Sequence, residues 1–99
     1  MPVDPLADGI SRLAAKLDAL YRQAVRDYTP IVEGILRTRS HNTLHIEETL
    51  DGLLGFCCHE PALDLYRRLC RHYWDIDSAA TAFYVNAYRT TWDDDEERQ

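Results

Sequence analysis

The N-terminal quarter of the chain carries a regular apolar repeat. Its members alternate spacings of four and three residues: Leu6, Ile10, Leu13, Leu17, Leu20 and Ala24. This heptad-like pattern is typical of a helix that buries one stripe, and Arg12, Lys16, Asp18 and Arg22 border it. The pattern predicts a long first helix from about Pro5 to Tyr28, roughly 36 Å at about 1.5 Å per residue.

Two shorter helices are predicted next. Thr29 is suited to cap a helix and Pro30 to occupy its first position, so a second helix should restart there. The polar segment from Arg37 to Asn42 predicts a loop, and a third helix should begin near Asn42 or Thr43. The apolar faces consist of Ile31, Val32, Ile35 and Leu36 in the second helix, and of Ile46, Leu50, Leu53, Leu54 and Cys57 in the third.

The C-terminal half predicts two more helices. Pro61 favours a new helical start, and the fourth helix should run from there to about Trp74. Asp77 is expected to cap a fifth helix. The inner faces are Leu63, Tyr66, Leu69, Cys70 and Tyr73 in the fourth helix, and Ala80, Phe83, Tyr84, Ala87, Tyr88 and Trp92 in the fifth.

These patterns together predict the fold class. No alternating apolar and polar run of useful length suggests a β-strand. We therefore expect an all-α fold, a small helical domain of about five helices with a long N-terminal helix. Residues 1–92 should form one helical domain, and residues 93–99 a disordered acidic tail.

Net charge narrows the range of partners. The chain has a net charge of −6, of which the segment from Asp93 to Gln99, with five acidic residues and Arg98, contributes −4. Acidic proteins are repelled by phosphate backbones and anionic membranes. We expect a protein or small-molecule partner, no membrane binding, and no direct nucleic-acid binding.

Composition also indicates a compartment. No run of about 18 apolar residues could cross a bilayer, and the N-terminus lacks the basic start and apolar block of a signal peptide. The chain has three cysteines, an odd number that suits a disulfide framework poorly. We therefore expect a cytoplasmic protein with reduced thiols.

A cluster of cysteine and histidine residues raises the question of a metal site. The stretch FCCHEPALDLYRRLCRHYW contains Cys57, Cys58, His59, Cys70 and His72. These are zinc-ligand types, but their spacing matches none of the usual zinc-binding pairs. Cys57 and Cys70 also fall on the apolar faces of their helices, where a free cysteine behaves as a small hydrophobe. We interpret the stretch as a joint between packed helices, with no metal and no cofactor.

Other candidate chemistry is equally sparse. In HNTLHIEE, His41, His45 and Glu48 are spaced for one helical face, but the arrangement lacks the general base of a metalloprotease motif. A solvated polar face is the simpler interpretation, and the same holds for Glu47, Glu48 and Asp51. No serine lies in a nucleophile elbow, and the glycines are scattered. The sequence predicts no catalytic residues, and we do not expect an enzyme.

Five arginines leave a nucleic-acid alternative open. They are Arg37, Arg39, Arg67, Arg68 and Arg71. The third and fourth helices, joined by a short turn, could imitate a helix-turn-helix if these side chains converged on one face. Local pairing with Asp64 and Asp75 explains the fourth-helix arginines more simply.

The remaining feature is apolar surface. A first helix this long is expected to extend beyond a small core, which would leave its N-terminal half as an interface with a second copy or with a partner. The alternative, a central core helix, stays open on the sequence alone. Tyr84, Tyr88 and Trp92 form a second candidate surface. The predicted interface residues are Leu6, Ile10, Leu13, Leu17, Tyr21, Tyr88 and Trp92.

The C-terminal part of the chain resembles a known family. The segment LYRRLCRHYWDIDSAATAFYVNAYRTTW, Leu65 to Trp92, is similar to the small bacterial family typified by QslA, an antiactivator of the quorum-sensing regulator LasR. The resemblance implies a small, helical, dimeric protein. Such a protein would bind the ligand-binding domain of the regulator and occupy the surface through which the regulator dimerises. It would thereby prevent DNA binding by the regulator.

The functional expectation follows from both lines of reasoning. We expect a non-enzymatic inhibitor that binds a transcription regulator, forms a homodimer and uses no cofactor. Two alternatives stay open: an inhibitor encoded by a mobile element and directed at a host defence complex, and a small helix-turn-helix DNA-binding protein. Binding that collapses with added salt would favour the first alternative, since an apolar interface is less sensitive to salt.

Overall fold

A computed structural model describes residues 4–93 of the chain, and within that range it contains four helices and no strand. The helices are α1 (Pro5–Thr38), α2 (Thr43–Leu54), α3 (Glu60–Trp74) and α4 (Ser78–Trp92). The predicted all-α class is confirmed, and the prediction of about five helices is wrong by one. Of the predicted tail, residues 94–99 lie outside the described residues. No helix in the described range is long and apolar enough to cross a membrane.

The missing boundary is the one predicted at Thr29 and Pro30. Helix α1 runs through Pro30 without a break and comprises 34 residues, about 51 Å at 1.5 Å per residue. A proline inside a helix removes one backbone hydrogen bond and costs about 3 kcal/mol. Burial of Val32 and Ile35, both at most 2% exposed, holds the following turns against the core and offsets that cost. Tertiary packing therefore overrides the local signal.

Three helix starts follow side-chain capping. The carboxylate of Asp4 accepts a hydrogen bond from the backbone N–H of Leu6 at 3.0 Å. Asn42 accepts one from the N–H of His45, and Asp77 accepts one from the N–H of Ala80. Such caps satisfy amide groups that have no partner inside the helix. The predicted starts of α2 and α4 are confirmed by these bonds.

The core lies around α3, which packs against each of the other three helices. Only the second half of α1 takes part in this core. The fully buried side chains include Val32, Ile46, Leu50, Leu53, Leu69 and Tyr73. Helix α4 departs from its predicted inner face at Phe83, which is 66% exposed although Tyr84 is buried. Consecutive residues of a helix point about 100° apart, so turning Tyr84 to the core moves Phe83 away from it.

Candidate functional site

The first half of α1 stands clear of the core. Every residue from 4 to 20 is exposed. Five of them are large apolar side chains, with exposed fractions between 40% for Leu17 and 71% for Leu6. They form a continuous line that we call the α1 stripe: Leu6, Ile10, Leu13, Leu17 and Leu20. A row of this kind is a candidate surface for contact with another protein.

Charged side chains of this segment lie mostly on the opposite face. Arg12 pairs with Asp8 at 2.6 Å, and Arg22 pairs with Asp18 at 2.9 Å. Both are exposed pairs at i, i+4, a spacing that contributes only a few tenths of a kcal/mol each. The positions of these four residues in the helical repeat put their charges on the outer face, so the stripe stays apolar. Ile10 and Leu17 occupy one heptad position and Leu6, Leu13 and Leu20 the other, so the stripe has the spacing of a coiled-coil seam.

The stripe ends where α1 meets the joint between α2 and α3. The ring of Tyr21 lies edge-on to Phe56, with centroids 6.1 Å apart, and is stacked on His59 at 5.7 Å. A hydrogen bond with Cys58 raises the pKa of the Tyr21 hydroxyl. Ala24, about one helical turn after Tyr21, is only 6% exposed. Tyr21, a predicted interface residue, is thus half-buried at the border between free and packed helix.

The aromatic end of α4 borders the same joint. The indole N–H of Trp92 donates to the carbonyl oxygen of Leu54 at 2.7 Å, although Trp92 remains 41% exposed. Tyr88 is half-buried, with its ring centroid 6.3 Å from that of Tyr66. Both residues line a cleft of about 300 Å³ together with Cys58. Since Cys58 also contacts Tyr21, the joint connects the two predicted surfaces, which the sequence had suggested only as separate features.

The cysteines of the joint are mostly core residues. Cys57 and Cys70 are buried, and the Cys57 thiol donates to the carbonyl oxygen of Leu53 at 3.3 Å. Burial raises the pKa of Cys57 to about 12 and that of Cys70 to about 11. Both therefore stay protonated at neutral pH, whereas metal binding and nucleophilic attack require the thiolate. Cys58 is exposed. Within residues 4–93, no three His, Cys, Asp or Glu side chains are grouped to hold a metal ion.

The acidic face of α2 differs from its predicted solvated role. Glu47 accepts a hydrogen bond from the Tyr73 hydroxyl. Burial, together with a hydrogen bond to Asp51, raises the pKa of Tyr84. The Tyr66 hydroxyl donates to the backbone carbonyl of Tyr84 at 2.6 Å. These bonds connect α2, α3 and α4 and give two of the three acids a structural role, while Glu48 stays exposed.

The arginines of the DNA-binding alternative are divided among several places. Arg67 and Arg71 line a groove against α4. Arg68 and Arg71 line a shallow groove beside Leu36 of α1. Arg39 is the residue that ends α1, in a left-handed backbone conformation. The DNA-binding alternative stays an untested prediction.

The fold and this site together define a class: an all-α protein in which one amphipathic helix is half packed and half unpartnered. No model of a known protein family, no curated protein and no solved structure matches the chain. The functional inference therefore depends on the geometry of the surface and on the resemblance noted in the sequence.

Proposed function

We propose that this protein is a non-enzymatic inhibitor that binds a transcription regulator of the LasR-like quorum-sensing type and covers its dimerisation surface. The α1 stripe is the recognition surface. In the absence of the regulator, two copies of the protein pair through the same stripe. The observation that carries the proposal is the exposure of a complete heptad seam over residues 6–20.

The size of the stripe favours an exchangeable contact. Fully burying a leucine or isoleucine stabilises an association by about 1.5–3 kcal/mol. Pairing two stripes covers ten such side chains, each roughly half exposed beforehand, which amounts to on the order of 10 kcal/mol. Loss of translational and rotational freedom opposes association by roughly 4–15 kcal/mol. A pair held by the stripe alone is therefore weak, so a partner with a larger apolar surface would displace the second copy.

The resemblance suggests which partner that would be. QslA-like proteins bind the ligand-binding domain of the regulator at the surface it uses for self-dimerisation. A dimerisation surface is apolar at its centre, and an exposed seam of leucine and isoleucine matches that chemistry. Charge does not oppose the contact, because the two ion pairs Asp8–Arg12 and Asp18–Arg22 neutralise the outer face of the helix.

Light scattering coupled to size-exclusion chromatography tests the proposal. We expect the protein alone to be a dimer that dissociates on dilution. Mixed with the LasR ligand-binding domain, it should form a complex that contains one regulator subunit. Replacing Leu13 and Leu17 with glutamate should abolish both associations, because two charges would be buried in the seam.

A matched control variant distinguishes the effect of charge within the stripe from the effect of added charge elsewhere on α1. Ala15 and Ala19 are exposed on the outer face of the same helix, so Ala15→Glu/Ala19→Glu adds the same charge away from the seam. This control should keep both associations, and circular dichroism should show unchanged helix content in both variants. Separate peaks for the wild-type protein and the regulator would contradict the proposed partner. Loss of helix content in the Leu13→Glu/Leu17→Glu variant would show that the stripe belongs to the folded core.

A further inference from the structure

We propose that the groove between α3 and α4 is a second binding site, and that it takes an acidic amphipathic segment of a partner protein. The groove has a volume of about 560 Å³. It shares no residue with the α1 stripe, so the two surfaces can be tested independently. We call it the α3/α4 groove.

The floor of the groove is apolar and open to solvent. Leu63, Cys70 and Tyr88 form its base. Trp74 and Val85 line it as well, with 56% and 42% of their surfaces exposed. No other part of residues 4–93 buries these two side chains completely. A ligand that fills the groove must therefore present apolar side chains.

The rim of the groove is basic. Arg67 and Arg71 stand one helical turn apart on α3, and both line the groove. The local pairing with Asp64 and Asp75 expected from the sequence is not formed by Arg67 or Arg71, because both ion pairs within residues 4–93 lie on α1. The only carboxylate among the lining residues of the groove is Asp75, just past the end of α3. In a chain with a net charge of −6, this is a local excess of positive charge, and it is complementary to acidic side chains.

The length of the groove suggests the form of the ligand. From Leu63 to Trp74 the lining follows eleven helical steps, about 17 Å or three turns. A helix of three turns with an apolar stripe flanked by glutamate or aspartate fits both the floor and the rim. The protein's own acidic segment from Asp93 to Gln99 is a poorer match, because it contains no apolar residue.

A synthetic peptide provides the probe. We would use a fluorescein-labelled helical 14-mer with leucines at i, i+3, i+4 and i+7 and glutamates on both flanks, and measure fluorescence anisotropy with the full-length protein. The control peptide has lysine at every glutamate position. We expect saturable binding of the glutamate peptide only, weakened by raising the salt concentration from about 0.1 M to about 1 M.

Two protein variants locate the binding. Arg67→Ala/Arg71→Ala should weaken binding of the glutamate peptide about tenfold, since two charge-assisted contacts are lost. Arg12→Ala/Arg22→Ala removes the same charge from α1 and should change the affinity less than about twofold. Val85→Ser should also weaken binding, because it removes apolar floor. Circular dichroism would establish that all variants remain folded.

Four results would overturn the proposal. The first is failure of the glutamate peptide to bind, and the second is equal binding of the lysine peptide. The third is displacement of the glutamate peptide by a short DNA duplex at lower concentration than by unlabelled peptide, which would identify the groove as a nucleic-acid site. Equal loss of affinity in the two arginine double variants would likewise contradict a local site.

Discussion

At the scale of single residues, hydrogen bonds from tyrosine connect α2, α3 and α4. Tyr73 donates to Glu47 across 26 positions of sequence, and Tyr66 donates to the carbonyl oxygen of Tyr84. The helical periodicity predicted that these tyrosines face inward. It did not predict their partners, because a hydroxyl on the inner face reaches whatever the neighbouring helix presents. The caps at Asn42 and Asp77 were predictable, since their acceptors lie within three residues of the amide they satisfy.

Arg39 offers a prediction at this scale. It ends α1 with φ 52° and ψ 43°, a left-handed conformation that an L-residue with a side chain adopts at a cost and glycine adopts freely. We expect Arg39→Gly to raise the free energy of unfolding by about 0.5–1 kcal/mol. Urea denaturation would measure the change. Arg37→Gly is the matched control, because Arg37 lies within the helix, where glycine should lower stability; a lower stability for both variants would contradict the prediction.

At the scale of elements, α1 is the helix whose form departs most from its sequence signals. Thr29 and Pro30 together predict a new helix, yet the hydroxyl of Thr29 donates to the carbonyl oxygen of Val25 one turn back, inside a continuous helix. The reason is that Val32 and Ile35 pack into the core on one side, while Ala24 does so on the other side of the proline. Because α1 is packed into the core on both sides of Pro30, the segment that contains the proline stays helical.

The contact between α1 and α2 depends on Gly52. A Cβ atom at this position would overlap the hydroxyl and ring of Tyr28. We expect Gly52→Ala to lower the free energy of unfolding by about 1–2 kcal/mol, because Tyr28 must move from its place. In a Tyr28→Ala background the same substitution should instead be neutral or stabilising by up to about 1 kcal/mol, owing to the better helix propensity of alanine. Equal effects in both backgrounds, measured by urea denaturation, would show that the two residues are not coupled.

At the scale of the whole molecule, the protein consists of a packed body and a projecting helix. Its principal extents are 59 × 38 × 17 Å, and helix α1, about 51 Å long, spans most of the longest one. The body buries the second half of α1 and leaves the first half bare. One helix therefore supplies part of the core in its second half and an exposed apolar stripe in its first half.

The stability of the body should fall at alkaline pH. Burial raises the pKa of Cys57 from 9.0 to about 12 and that of Cys70 to about 11. Below pH 9 both thiols are protonated in the folded and in the unfolded chain. Above pH 9 the unfolded chain releases these protons first, so the free energy of unfolding decreases between about pH 9 and pH 12.

Urea denaturation at several pH values would check this expectation. Cys57→Ala/Cys70→Ala should show a shallower decline with pH than the wild type, although its stability at pH 7 would be lower because the core loses two side-chain sulfur atoms. Some decline should persist in the variant, because burial also raises the pKa of Tyr66, Tyr73 and Tyr84. Identical slopes would mean that the two thiols do not contribute.

The sequence by itself determined the helical class, the apolar face of most helices and the start of α2 and α4. These features depend on spacing and on contacts within a few residues, so the local pattern suffices. The α1 stripe was also visible in the sequence as a heptad pattern, and its apolar residues and the charges that border it all lie on α1.

Only the tertiary structure decided which half of α1 is covered, that the helix continues through Pro30, and that Trp74 and Val85 border a groove with Arg67 and Arg71. An apolar stripe looks the same in sequence whether its own chain covers it or not. Whether the stripe of α1 is buried depends on how far α2, α3 and α4 reach along α1 and on how far α1 extends past them. That geometry arises from packing between distant segments, which no local pattern encodes.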